Sequence, residues 1–125
     1  MKSNIYYTIS DDGIPTFLAS GKYWKQISTR GMSACAIASD NQAYCWGNNN
    51  RGQLGNNSTA QSLVPVAVTT SGVLSGKTIK SISAGSNACA IASDNQAYCW
   101  GYNLYGQLGN NSTAQSLVPV AVIPL

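Results

Sequence analysis

Apolar and polar residues alternate over short stretches of this chain, and no stretch sustains the three-to-four-residue spacing of an amphipathic helix. Ile5-Tyr6-Tyr7-Thr8-Ile9-Ser10 and Ile14-Pro15-Thr16-Phe17-Leu18 flank Asp11-Asp12-Gly13 and read as a hairpin. A partly apolar run ending at Ile27-Ser28 reads as a strand, and Cys35-Ala36-Ile37-Ala38 as the next. Ser39-Asp40-Asn41-Gln42 is a turn, because Asp-Asn tolerates positive φ. Ala43-Tyr44-Cys45-Trp46 follows as a third strand. A polar, Gly-rich loop then leads to Leu63-Val64-Pro65-Val66-Ala67-Val68. Pro65 cannot donate to a ladder, so this fourth strand belongs at a sheet edge. The density of Gly and Asn opposes helix throughout.

The pattern then repeats. Ala34 to Gly47 recurs at Ala88 to Gly101, and Gly52 to Val68 recurs at Gly106 to Val122. Between Ala34–Val68 and Ala88–Val122 the only differences are Asn48/Tyr102, Asn50/Leu104 and Arg51/Tyr105. Upstream the match loosens: Ile27-Ser28-Thr29-Arg30-Gly31 faces Ile82-Ser83-Ala84-Gly85, with one extra residue in the first copy. Duplication is the economical explanation. Four short strands per copy is the pattern of a propeller blade. The expected organisation is all-β: an N-terminal hairpin or partial blade over 1–22, one four-stranded blade over 23–70 and a second over 71–125. Residues 1–22 lack Trp-Gly and Gly-Gln-Leu-Gly, and are expected either to cap or complete a blade or to be an unrelated strand pair.

The residues of each copy resemble the repeat of the regulator of chromosome condensation family, in the form of its Cys-containing bacterial members. The resemblance rests on Cys35 to Gly47, Asn49 to Gly55 and Pro65 to Val68, with equivalents at Cys89 to Gly101, Asn103 to Gly109 and Pro119 to Val122. The leading Ile82 to Gly85 also fits, and the similarity covers about residues 23–122. It implies a β-propeller, usually of seven blades. It implies no single activity, since relatives serve as nucleotide-exchange factors, enzyme inhibitors, light sensors and surface proteins. Nothing in these residues points to nucleotide exchange.

Two blades are too few to close a propeller, which takes four to eight, and a repeat stack needs about three units to bury its faces. The chain is therefore expected to form a homo-oligomeric ring, for example three chains giving six blades, or to be a slice of a longer array. An open pair capped by residues 1–22 is the third outcome.

Composition narrows the chemistry. Charged residues make up 9% of the 125 residues against 44% hydrophobic, so the polar surface must come from Asn, Ser, Thr, Gln and Gly. The net charge of +3 comes from singly scattered bases, which opposes a nucleic-acid partner. No apolar run is long enough for membrane insertion, and the start has no signal-peptide core. There is no His, so no His-based triad or base exists, and no cofactor or metal is expected. Asp40 and Asp94 occupy identical turns, where capping the backbone is the ordinary role of Asp. Gly52-Gln53-Leu54-Gly55 lacks the Lys-Ser/Thr of a phosphate loop. Asn57-Ser58-Thr59 and Asn111-Ser112-Thr113 match the glycosylation sequon, which matters only in a glycosylating secretory pathway.

Four cysteines remain: Cys35 and Cys45 in one hairpin, Cys89 and Cys99 in the other. One cross-strand disulfide per blade is one reading, and buried free thiols are another. A two-residue turn at Asp40-Asn41 pairs Ala36 with Cys45 and leaves Cys35 opposite Trp46 on the other face. A bulge or a three-residue turn brings Cys45 to the face of Cys35. The resemblance favours disulfides, since exterior members of the family often carry this pair, and an oxidising setting outside the cytoplasm or at the cell surface would follow.

Loops alternate between the two ends of a meander, so the turns at Ser39 to Gln42 and Ser93 to Gln96 share one end. The copies differ at the other. Arg30, Met32, Ser33, Asn48, Asn50 and Arg51 stand there in the first copy, and Ser86, Asn87, Tyr102, Leu104 and Tyr105 in the second. Neutral drift favours polar-for-polar exchange, whereas Asn, Asn and Arg face Tyr, Leu and Tyr. These positions are the candidate binding rim for a protein or glycan, and self-assembly is the alternative use of the same residues. Tyr44, Trp46, Tyr98 and Trp100 recur at matching strand positions and are expected to pack between blades.

Overall fold

A computed structural model describes residues 21–125 together with the strands β1 (Tyr6–Ile9) and β2 (Pro15–Leu18). β1 and β2 pair antiparallel, with Tyr6 opposite Leu18 and Ile9 opposite Pro15. The hairpin expected in residues 1–22 is thus present as a strand pair; its role as a cap lies outside the described residues.

The rest of the chain forms two four-stranded antiparallel meanders. The first contains β3 (Trp24–Arg30), β4 (Ser33–Ala38), β5 (Ala43–Gly47) and β6 (Ser62–Ala67) in that order. The second contains β7 (Ile79–Ser83), β8 (Asn87–Ala92), β9 (Ala97–Gly101) and β10 (Ser116–Ala121). Pro65 lies within the edge strand β6, where its missing N–H leaves no ladder bond unmade.

The β4–β5 register departs from the two-residue turn. Cys35 stands directly opposite Cys45 and Ile37 opposite Ala43. Three residues, Ser39 to Asn41, form the loop, closed by the Ala38 N–H donating to the Gln42 carbonyl at 3.1 Å. Asn41 takes the left-handed conformation, φ 62°, and Asn95 repeats it at φ 63°. A short amide side chain tolerates that region, and Asp40 Oδ1 completes the turn by accepting the Gln42 N–H at 3.0 Å. This one extra loop residue puts each cysteine pair on one face. Cys35–Cys45 and Cys89–Cys99 are disulfides, with Cα atoms 4.0 Å apart in each.

The pleat sorts the two sheets into complementary faces. Cys35, Ile37, Ala43 and Cys45 of the first sheet are buried in one core with Ala88, Ala90, Ala92, Tyr98 and Trp100 of the second. Alanines let the sheets approach, and Trp100, fully buried, fills the space they leave.

Hydrogen bonds tie the same joint from end to end. The Trp100 indole N–H donates to the Gln53 carbonyl at 2.9 Å. The Ile82 and Ala84 N–H groups donate to Gln26 Oε1 and Ser28 Oγ, and the Asn57 N–H to the Leu117 carbonyl. The Gly-Gln-Leu-Gly segment is therefore a clasp of the first blade on the second. A Cβ on Gly52 would stand 2.4 Å from Leu117 Cδ2, and one on Gly55 2.7 Å from Trp100 Nε1. Glycine is required at both by close approach as well as by φ values of 77° and 67°.

Asn49 holds the long β5–β6 loop in place from inside. Its amide Nδ2 reaches the Ser58 and Ala60 carbonyls and Asn56 Oδ1, while Oδ1 accepts the Leu54 N–H. Asn103 makes the same set of bonds in the second blade, and both side chains are buried. The identity of this position in the two copies thus has a structural cause: the buried amide satisfies loop carbonyls that no ladder reaches.

Candidate functional site

The rim is built from the β3–β4 and β5–β6 loops of the first blade and their counterparts in the second. In each blade the two loops are joined by one backbone bond: Asn48 N–H to the Met32 carbonyl at 2.8 Å, and Tyr102 N–H to the Ser86 carbonyl at 3.0 Å. Within each blade the two divergent loops therefore lie side by side. Met32, Asn50, Arg51, Leu104 and Tyr105 are exposed or lie in the exposed loops, whereas Asn48 and Tyr102 are half-buried.

Residues from the two blades meet there. The Arg51 guanidinium of the first blade lies 4.7 Å from the centre of the Tyr102 ring of the second. Tyr105 packs edge-on against Tyr102 with ring centres 6.3 Å apart. The loop backbones beneath are stiffened by Gln53 and Gln107, whose Oε1 atoms accept the Arg51 and Tyr105 N–H groups. Asn48 donates to Asn50 Oδ1 at 3.1 Å, so the polar half of the rim is pre-ordered as well.

Three positions stand apart from this cluster. Ser33 is buried and donates to the Gly85 carbonyl at 3.2 Å, making it part of the blade joint. Asn87 is the first residue of β8, with its amide near Cys89 Sγ. Arg30 ends β3, exposed, with its side chain beside Gly85. In all three the residue belongs to the ladder and not to the loop, a boundary that loop alternation alone does not locate.

The opposite end is polar and charged. Lys22 pairs with Asp40 at 3.2 Å and Lys77 with Asp94 at 3.9 Å. The Tyr44 and Tyr98 hydroxyls donate to Asp40 and Asp94 at 2.6 Å each. Burial pushes the Asp40 carboxyl up, but the Tyr44 hydroxyl, the Gln42 N–H and Lys22 together hold it below its ordinary value. The Tyr98 hydroxyl holds Asp94 low in the same way. Both phenols are pushed up in return, chiefly by their bonds to these carboxylates. Among the described residues no three His, Cys, Asp or Glu side chains converge as a metal site requires. No helix among them is long and apolar enough to cross a membrane.

Models of the regulator of chromosome condensation (RCC1) repeat match residues 40–92 and 94–125. The chain belongs to this repeat family. The first matched segment starts in the β4–β5 turn and ends with β8, so a family repeat joins the last two strands of one sheet to the first two of the next. The Ultraviolet-B receptor UVR8 of Arabidopsis thaliana is 34% identical over 99 residues, covering 78% of this chain and 22% of that protein. The E3 ubiquitin-protein ligase HERC2 of Homo sapiens is 33% identical over 92 residues, covering 72% of this chain and 2% of that protein. Human WBSCR16 superposes with a TM-score of 0.70 at 22% identity, over 90% of this chain and 30% of that one. Yeast RCC1 (Prp20), solved bound to Kap60, superposes with a TM-score of 0.70 at 17% identity, over 94% of this chain and 29% of that one. These superpositions establish the RCC1-type propeller fold. The chain spans less than a third of each of these relatives.

Proposed function

We propose that this RCC1-type repeat chain is a non-catalytic module that binds a protein partner through the rim formed by Arg51, Tyr102, Leu104 and Tyr105. The observation that supports it is the meeting of Arg51 and Tyr102 across the two blades at 4.7 Å, beside the exposed Leu104 and Tyr105. Three of the residues that diverged between the copies, Arg51, Tyr102 and Tyr105, thus make a chain of side-chain contacts. Aromatic and Arg side chains on stiffened loops dominate protein interfaces, because they bury much area at little entropic cost. A relative points the same way: Prp20p of Saccharomyces cerevisiae has binding properties to Gsp1p and histones, which are proteins. The two disulfides fit an oxidising, extracytoplasmic setting for such a module.

The test places a photo-crosslinking residue at position 105, and in a control at Asn95 on the opposite end. The rim probe is expected to yield a discrete protein adduct that the Tyr102→Asn, Leu104→Asn, Tyr105→Arg variant loses. Equal capture from both ends, or capture that survives the triple variant, removes the reading. An adduct of the chain with itself, or a fall in solution mass in that variant, assigns the rim to self-association.

A further inference from the structure

The duplication makes the blade joint its own template. In the second copy the surface facing the first blade is covered; in the first copy Ile27 and Leu63 of the same surface are exposed, while Ala34, Ala36 and Ala38 are buried and Trp24 stands against Tyr44 and Trp46. Ile82 is 8% exposed, whereas its counterpart Ile27 is 59% exposed. Leu117 lies against the Gly52 backbone, whereas its counterpart Leu63 is 85% exposed. Trp100 is sealed under Gly55 and bonded to Gln53, whereas Trp46 is half-buried and rests on Trp24.

The mirror situation holds at the far side of the second blade. Ile37 is 3% exposed in the joint, and its counterpart Ile91 is 36% exposed. Gly106 repeats the left-handed φ of Gly52, at 76°, but a Cβ there would meet nothing nearer than the Ser112 carbonyl, 4.0 Å away. The clasp Gly106-Gln107-Leu108-Gly109 therefore keeps the left-handed glycines of the one that holds Trp100 and Leu117 in the other blade, open at Gly106 and with Val122 against Gly109 where Trp100 stands against Gly55. Its four residues are those of the first clasp without change.

We infer that a second copy of this chain docks head-to-tail, the Ile91 and Gly106–Gly109 face of one molecule clasping the Ile27, Trp46 and Leu63 face of the next. The contact repeats the joint between the two blades: the Trp46 indole N–H meets the Gln107 carbonyl, and Leu63 lies over Gly106. The first strand departs from the joint, with Trp24 and Thr29 standing where the buried Ile79 and Ala84 stand in the second copy. Gln26 and Ser28 accept the Ile82 and Ala84 N–H groups, and the residues in line to do so between copies are Ser81 and Ser83, so the bond made by Gln26 is replaced by a shorter side chain. Such a contact joins two different surfaces, so it propagates until rotation closes a ring. With two blades per chain, rings of three or four copies fall within the range of propeller sizes. The clasp Gly106–Gly109 shares the β9–β10 loop with Leu104 and Tyr105, but Ile27, Leu63 and Ile91 are strand residues, so substitutions at these three test the contact without altering Arg51, Tyr102, Leu104 or Tyr105.

The test uses two single variants of the 125-residue chain, Leu63→Glu and Ile91→Glu. Leu63→Glu spoils only the clasped face, and Ile91→Glu only the clasping face. The unaltered chain is expected to sediment as a multimer and each variant alone as a single chain. An equimolar mixture of the two is expected to give a heterodimer, because one intact clasping face still meets one intact clasped face. Far-ultraviolet circular dichroism identical to the unaltered chain excludes misfolding of either variant. A single-chain mass for the unaltered protein at every concentration overturns the inference. So does a mixture that remains monomeric, or a multimer that neither substitution disturbs.

Discussion

The indole N–H of Trp100 donates to the Gln53 carbonyl at 2.9 Å, a bond between the third strand of one blade and the loop of the other. Trp46, identical in sequence setting, meets no second four-stranded sheet among the described residues and rests half-buried on Trp24. The two halves of the duplication are therefore chemically equal and energetically unequal. Trp100→Ala is expected to cost about 3–5 kcal/mol, the range for truncating a buried Trp, and Trp46→Ala clearly less in the dilute single chain. Urea denaturation of the two variants measures the difference, and equal losses contradict it.

Gly52 and Gly106 give a cleaner comparison, because their φ values of 77° and 76° both incur the left-handed penalty of roughly 1–2 kcal/mol on replacement by Ala. Only at position 52 does the added Cβ also meet Leu117, 2.4 Å from Cδ2 and 3.0 Å from Cα. Gly52→Ala is expected to lower the thermal midpoint further than Gly106→Ala at concentrations where the chain is single. A larger loss at 106 under those conditions is incompatible with the clasp described.

Removing the Asn49 side chain strands the buried Leu54 N–H and takes from the half-buried Ser58 and exposed Ala60 carbonyls their shared donor. Each buried group left unpaired costs about 1–3 kcal/mol. Asn49→Ala is expected to loosen residues 50–61 locally, read as faster amide exchange there, with the β4–β5 ladder still protected. Unchanged exchange in that loop contradicts the role given to Asn49.

The two disulfides differ in access. Cys35 and Cys45 are sealed in the joint, whereas Cys89 is partly exposed on the open face. Thiolate attack needs access to a sulfur, so graded reductant followed by alkylation and peptide mapping is expected to label Cys89 and Cys99 first. Simultaneous labelling of both pairs excludes this order. Head-to-tail docking covers Cys89, so the difference narrows as protein concentration rises.

Stability is expected to fall at both extremes of pH through the Asp40–Tyr44 and Asp94–Tyr98 pairs. The carboxyls are held low in the folded state, so their contribution is full above the unfolded value of about 4 and is lost as pH falls through the lower folded values. The phenols are pushed up, so theirs is full below the unfolded value of about 10 and is lost as pH rises through the higher folded values. In a Tyr44→Phe, Tyr98→Phe variant both limbs of the thermal midpoint against pH become shallower. Limbs of unaltered steepness show that other groups carry them.

What the sequence determined by itself was periodic and local. Alternation placed β4 and β5 within a residue or two, and Pro65 marked an edge because a missing N–H has no other place in a sheet. Near-identity of the copies placed the variable positions on one end, since meander loops alternate by topology alone. Tertiary structure decided what depends on neighbours. Whether the cysteines faced one another hung on a single left-handed Asn41, and Asp-Asn suits two-residue and three-residue turns alike. Ser33 read as a rim position and proved to be a joint residue, because its partner, the Gly85 carbonyl, is 52 residues away. Trp46 and Trp100 share one local sequence and differ in burial, since burial is set by the blade in front and no property of the residue encodes it. The same reasoning applies to Arg51 and Tyr102. Each was legible as a variable loop residue, and only the packing of one blade on the next brought them within 4.7 Å.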